Sequence, residues 1–226
     1  QLDQLALEIP SAAYQLAQAF WPGPLTLVLK RASHVPDAVA QSRQTIAIRM
    51  PAHPVARALI AAAGTPIAAP SANTFTRPSA TTAQHVLEDL RGRVELVLDG
   101  GEASIGLEST VIDMTQTPPL VLRPGGVLLD DLSRWIPNIG IKPQYLNPDD
   151  DILGASPGMM IKHYSPRARV MLFDGPLNVV HVAISDTAHR LIANQKRVGI
   201  LAADDEAEHY TQLGARIIAL GPSNDL

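Results

Sequence analysis

The chain has 226 residues, 46% of them hydrophobic, and its 18 basic and 22 acidic side chains leave a formal charge of −4. That is enough for one large or two modest packed domains, and the acidic balance argues against a broad electrostatic grip on nucleic acid. The absence of cysteine excludes disulfides, thiolate catalysis and Cys-ligated zinc. With no apolar run of the roughly 18 to 20 residues that a bilayer requires and no signal-peptide pattern in residues 1–30, a cytoplasmic location is expected.

In chain order, residues 11–20 read as a helix with Leu16, Ala19 and Phe20 near one face, stopped by Trp21, Pro22, Gly23 and Pro24, a turn read as structural. Residues 25–30 alternate as a strand and 45–49 as a second. A helix over 54–63 ends at Gly64, and 66–69 reads as a short buried strand. A helix over 82–90, capped by Thr81 or Thr82, precedes strands at 95–98, 109–113 and 120–122. Helices interleaved with strands, some joined by links too short for a helical crossover, predict an α/β domain with a mixed sheet. Residues 137–166 turn to Pro, Asn, Asp and Gly and read as a linker. Beyond it, strands at 170–173, 198–201 and 217–220 and helices at 179–194 and 206–213 predict a small doubly wound α/β unit. The acidic run 204–208 suits a helix start.

Four polar clusters fall at predicted strand ends or tight turns. Thr45 and Arg49, four apart on one strand, share a face, where Arg49 can fork onto a carboxylate or simply be a surface cation. Ser71, Asn73, Arg77 and Ser79 bring small hydroxyl, amide and cationic groups before a helix start, as a nucleotide pocket or as a turn and cap. Gly106, Leu107, Glu108, Ser109 and Thr110 follow Asp99, Gly100 and Gly101. Such glycines allow close backbone approach to a ligand, or equally a bulge or hairpin. Arg123 before Pro124, Gly125 and Gly126 suits phosphate. Histidines at 34, 53, 85, 163, 181, 189 and 209 lack metal-ligand spacing, so no protein-held metal is expected. Neither a G-x-x-x-x-G-K-[ST] loop nor a G-x-G-x-x-G turn occurs. Arginines and hydroxyls without an evident nucleophile or base favour positioning and charge stabilisation, as in phosphoryl or nucleotidyl transfer.

The segments Phe20-Trp21-Pro22-Gly23-Pro24-Leu25-Thr26, Ile48-Arg49-Met50-Pro51, Ala69-Pro70-Ser71-Ala72-Asn73, Gly106-Leu107-Glu108-Ser109-Thr110-Val111 and Leu122-Arg123-Pro124-Gly125, in that order, resemble the YrdC-like family. The resemblance implies a twisted mixed sheet with flanking helices over residues 1–140, a linker over 141–166, and a Rossmann-like accessory α/β domain over 167–226. Ser156-Pro157-Gly158-Met159 and Lys162-His163-Tyr164-Ser165-Pro166 are similar to the linker of the two-domain members.

It further implies a nucleotidyltransferase that joins L-threonine, bicarbonate and ATP, with magnesium, into threonylcarbamoyl-adenylate and pyrophosphate. The product would pass to downstream threonylcarbamoyl transferase proteins that modify tRNA, with tRNA binding here weak or indirect and no membrane association. Carried over by position, Arg49, Ala69 and Ser109 would line the threonine pocket. Thr45, Ser71, Asn73, Ser79 and Arg123 would contact ATP, with Arg49, Ser71 and Asn73 central to catalysis and His163 and Tyr164 closing over the nucleotide. The family's Lys-x-Arg element and its Thr-Glu-Thr-rich opening strand do not occur in these 226 residues. The expectation is therefore a chain incomplete at its N-terminus and in its accessory domain, and inactive in adenylate synthesis if it is the whole molecule. Two rivals within the same resemblance are a carbamoyltransferase acting on carbamoyl-adenylate and a non-enzymatic RNA-binding module.

Overall fold

A computed structural model describes residues 2–40, 42–75, 77–142, 166 and 168–223, and the chain divides into two units, residues 1–167 and 168–226. In the first, the run Leu-Thr-Leu-Val-Leu makes β2 (Leu25–Arg31) apolar on both faces. Leu25, Leu27 and Leu29 enter the main core with Ala13 and Leu16 of α2 (Ser11–Phe20), Ile112, Val121 and Leu132, whereas Val28 packs on the other face with Val111 and Leu122. A strand buried on both sides belongs inside a sheet rather than at its margin.

Strand β2 pairs antiparallel with β1 (Ala6–Leu7) and β3 (Thr45–Ile48), and parallel with β4 (Thr110–Asp113). Next, β4 pairs antiparallel with β5 (Leu120–Arg123), which pairs parallel with β6 (Gly140–Ile141), closing a mixed six-stranded sheet. Around it stand α1 (Leu2–Leu5), α3 (Asp37–Ala40), α4 (Pro54–Ala63), α5 (Ala83–Leu90) and α6 (Leu129–Ser133). The predicted α/β class and mixed sheet hold. Strand β6 takes the first residue of the expected linker into the sheet, and residues 143–165 lie outside the described residues.

Local signals account for the helix ends. The His53 ring accepts from Val55 N at 3.3 Å at the start of α4, and Gly64, with φ 64°, ends it in the left-handed region that glycine tolerates. Thr82 Oγ1 accepts from His85 N at 3.2 Å and caps α5, which settles the choice between the two threonines. The strands predicted at 66–69 and 95–98 do not form: both stretches are irregular and exposed, with Ile67 at 42% and Leu96 at 74% of full accessibility. A strand persists only beside a partner that takes up its backbone hydrogen bonds, and none of the described strands runs alongside either stretch.

In the second unit α7 (Leu177–Ala193), β7 (Gly199–Ala202), α8 (Asp204–Ala207), a 3₁₀ helix (Glu208–Leu213) and β8 (Arg216–Ala219) follow in order. The two strands pair in parallel, with α8 and the 3₁₀ helix as their crossover, and Ala188, Ile200 and Tyr210 form the core. The acidic run supplies the first turn of α8, with Asp204, Asp205 and Glu206. The strand predicted at 170–173 is irregular instead, and Leu172 there is 91% exposed.

Candidate functional site

Strand directions decide which polar groups meet. With β2 and β4 parallel and their partners β3 and β5 antiparallel, the starts of the first two and the ends of the last two lie together. Thr26 at the start of β2, Ser109 just before β4, Arg123 at the end of β5 and Arg49 just after β3 therefore collect at one end of the sheet. Thr26 Oγ1 and Ser109 Oγ are hydrogen-bonded at 2.7 Å, both buried. The Arg123 guanidinium donates to the Ser109 carbonyl from Nε at 3.2 Å and Nη2 at 2.9 Å, and Nη2 also lies 3.2 Å from Ser109 Oγ.

Two glycine turns hold this end in shape. Gly126 N donates to the Glu108 carbonyl at 2.9 Å. Thr110 Oγ1 donates to the Val127 carbonyl at 2.7 Å and accepts from Val127 N at 3.0 Å. A Cβ at Gly125 would lie 2.3 Å from Glu108 O and 2.6 Å from Thr110 N, so only glycine lets the turn after β5 lie on the backbone leading into β4. On the other side, Gly23 N donates to the Met50 carbonyl at 2.9 Å, and Trp21 Nε1 donates to the Leu25 carbonyl at 2.7 Å. The Trp-Pro-Gly-Pro turn thus ties the end of α2 to the chain just beyond Arg49.

Arg49 is accessible to solvent, yet desolvation by the surrounding protein and then repulsion from Arg123 lower its guanidinium pKa from the ordinary value. Among the described residues no carboxylate forms an ion pair with it. Two guanidiniums that feel each other, beside a buried pair of hydroxyls, make a place where an anion relieves electrostatic repulsion.

The loop over residues 71–79 is braced from within. Asn73 Nδ2 donates to the carbonyls of Thr74 at 2.9 Å and Arg77 at 3.1 Å, while its Oδ1 is buried without a hydrogen-bond partner among the described residues. Arg77 pairs with Asp89 of α5 at 2.7 Å, and Asp89 also accepts from Thr74 N. Arg77 is thus committed to holding the loop. Ser79 Oγ donates to Glu108 Oε1 at 2.6 Å, and Ala103 N to the Thr81 carbonyl at 2.8 Å, joining this loop to the segment leading into β4.

The residues singled out in the sequence are distributed unevenly over this geometry. Ser109 and Arg123 are bonded, Arg49 stands within electrostatic reach of Arg123, and Ser79 joins them through the residue preceding Ser109. Thr45 shares a face of β3 with Arg49 but pairs with Lys30 at the strand's far end, about 13 Å away at the usual rise per residue. Ala69 and Ser71 sit on the exposed irregular stretch, outside the Ser109 and Arg123 network. His163 and Tyr164 lie outside the described residues. Thr26 and Glu108 were quoted in the sequence motifs without a role, and a hydroxyl in an apolar strand beside Pro24 was the available signal for Thr26.

A family model described as Telomere recombination, uniting Sua5, YciO and YrdC, matches residues 1–125. A second, described as Threonylcarbamoyl-AMP synthase, C-terminal domain, matches residues 130–226. The chain is similar to the threonylcarbamoyl-AMP synthase of Pyrococcus abyssi, 44% identical over 215 residues that cover 95% of this chain and 63% of that protein. It is also similar to the Bacillus subtilis protein of the same name, 37% identical over 212 residues, 93% of this chain and 60% of that one. Among solved structures it resembles P. abyssi Sua5 complexed with L-threonine, at TM-score 0.85 and 42% identity, covering 99% of this chain and 64% of that one. The chain thus spans between 60% and 64% of the length of these relatives.

Proposed function

Because the chain belongs to the Sua5, YciO and YrdC family, we propose that it serves the synthesis of threonylcarbamoyl-adenylate and pyrophosphate from L-threonine, bicarbonate and ATP. The observation that carries the reading is the end of the sheet where Arg49 and Arg123, mutually repelling, flank the hydrogen-bonded hydroxyls of Thr26 and Ser109. The names of the relatives, and the L-threonine in one of the solved structures, support threonine as substrate.

In this reading Arg49 forks onto the threonine carboxylate, with Ser109 lining the same pocket. The amine attacks the carbon of bicarbonate and gives up a proton as the C–O bond to the departing hydroxyl breaks, leaving a carbamate and water. A carbamate oxygen attacks the α-phosphorus of ATP, the bond from that phosphorus to the bridging oxygen breaks, and pyrophosphate departs in line. ATP enters as its magnesium complex. Arg123, Ser79 and Ser71 face its phosphates, and Asn73 braces the loop that carries the two serines. The protein contributes position and compensating charge, not a covalent intermediate. The adenylate is then handed to proteins that modify tRNA, and the site lies in the cytoplasm.

Pyrophosphate release from ATP, measured on the whole gene product, tests this. Release that needs both threonine and bicarbonate is expected. Release without threonine would move the reading to a carbamoyltransferase acting on carbamoyl-adenylate. The absence of any turnover together with tight tRNA binding would move it to an RNA-binding module.

A further inference from the structure

The seven histidines look scattered in the sequence, but the fold of the second unit brings two of them together. Glu206 in α8 and His209 at the start of the 3₁₀ helix are three residues apart and face the same way, toward His181 in α7. His181 Nε2 is in contact with Glu206 Oε2, and His209 Nδ1 stands 3.9 Å from the same oxygen. One donor atom from each of the three residues lies within 4.8 Å of the others. The two imidazole rings lie with centroids 4.2 Å apart and are tilted by 30° to each other, and buried Tyr210 stands edge-on to His181 at 5.7 Å.

Two further observations point to a ligand. His181 Nε2 and Glu206 Oε2 are sealed from solvent, and among the described residues neither has a hydrogen-bond partner other than their mutual contact. A carboxylate oxygen turned inward costs desolvation energy that one imidazole only partly returns, whereas a cation shared by three donors returns more. His209 is 54% exposed, so the cluster opens to solvent on one side and an ion has a path in. Two imidazole nitrogens and one carboxylate oxygen form a borderline-soft donor set with charge −1. That set suits a tetrahedral divalent transition ion whose fourth position is left to water, and it is a poor match for calcium or magnesium, which prefer all-oxygen shells.

We propose that His181, Glu206 and His209 form a binding site for a divalent transition ion of the zinc class. The ion crosslinks α7 to the α8 crossover and so clamps the second unit around Tyr210. All three residues belong to the second unit, and the proposal does not depend on the adenylate reading.

The test is titration of the chelator-treated full chain with Zn²⁺ by calorimetry, and with Co²⁺ by visible absorption. One equivalent is expected to bind, to raise the thermal midpoint of the chain, and to give the intense absorption of four-coordinate Co²⁺. His209→Asn replaces an exposed ligand without disturbing the core, and it should weaken binding by about tenfold or more. Glu206→Gln should do the same, and His181→Asn should abolish the Co²⁺ absorption. Binding that survives unchanged in the His209 and Glu206 variants, weak octahedral absorption, or no binding at micromolar Zn²⁺ would each overturn the proposal. In that case the cluster is a histidine and glutamate ion pair and nothing more.

Discussion

At the scale of single residues, the informative feature is that Arg123 has two tasks. It holds the Ser109 backbone through its Nε and Nη2 while its charge adds to the larger effect of desolvation in lowering the pKa of Arg49. Arg49 has no comparable structural bonds among the described residues, so its replacement reports on ligand binding with less disturbance of the fold. Arg49→Gln in the whole gene product is expected to lower kcat/KM for threonine by about 10- to 150-fold, the worth of a charged hydrogen bond of roughly 1.5 to 3 kcal/mol. Arg49→Lys should recover only part of the loss, because an ammonium cannot fork onto a carboxylate. Steady-state kinetics at varied threonine and varied ATP check this, and an effect confined to ATP would reassign Arg49 to the nucleotide. Arg49, Ser109 and Arg123 were legible in the sequence because their side-chain chemistry and turn setting are local facts. Thr26 was not, since its partner Ser109 is 83 positions away and only the pairing of β2 with β4 joins them.

Elements show the same division between local and non-local information. Helices α2, α4, α5 and α7 lie close to where periodicity, caps and Gly64 predicted them, since a helix closes its hydrogen bonds within its own sequence. Strands close theirs elsewhere, and the stretches 66–69, 95–98 and 170–173 have strand-like composition without a described strand beside them. The turn after β5 depends on one missing atom: Gly125→Ala would drive a Cβ to 2.3 Å from the Glu108 carbonyl oxygen. Backbone cannot yield there as a flexible side chain would, so a loss of about 1 to 3 kcal/mol is expected in urea unfolding of the chain. The loss should be accompanied by weaker ATP binding, as Ser109 and Arg123 move. An Ala variant with unchanged stability and unchanged nucleotide affinity would show that the turn has room that its close packing hides.

Over the whole molecule, charge and topology set what it can bind. A formal charge of −4 over 226 residues predicts that this chain binds tRNA no more tightly than about 10⁻⁵ M near physiological salt, in the range of weak non-specific contacts. Fluorescence anisotropy across a salt series checks it, and submicromolar, salt-resistant binding would contradict it. No described helix is long and apolar enough to cross a membrane. By itself the sequence determined the α/β class, the mixed sheet, most helices and the chemical types of the candidate site, because composition, periodicity and turn residues act over a few neighbours. Only the tertiary structure decided which of those groups meet. It placed Thr45 at the start of β3 and Arg49 just past its other end, joined Thr26 to Ser109, and gathered His181, Glu206 and His209 from separate elements. Those meetings depend on strand direction, pairing register and helix packing, which are contacts between distant parts of the chain that no local pattern encodes.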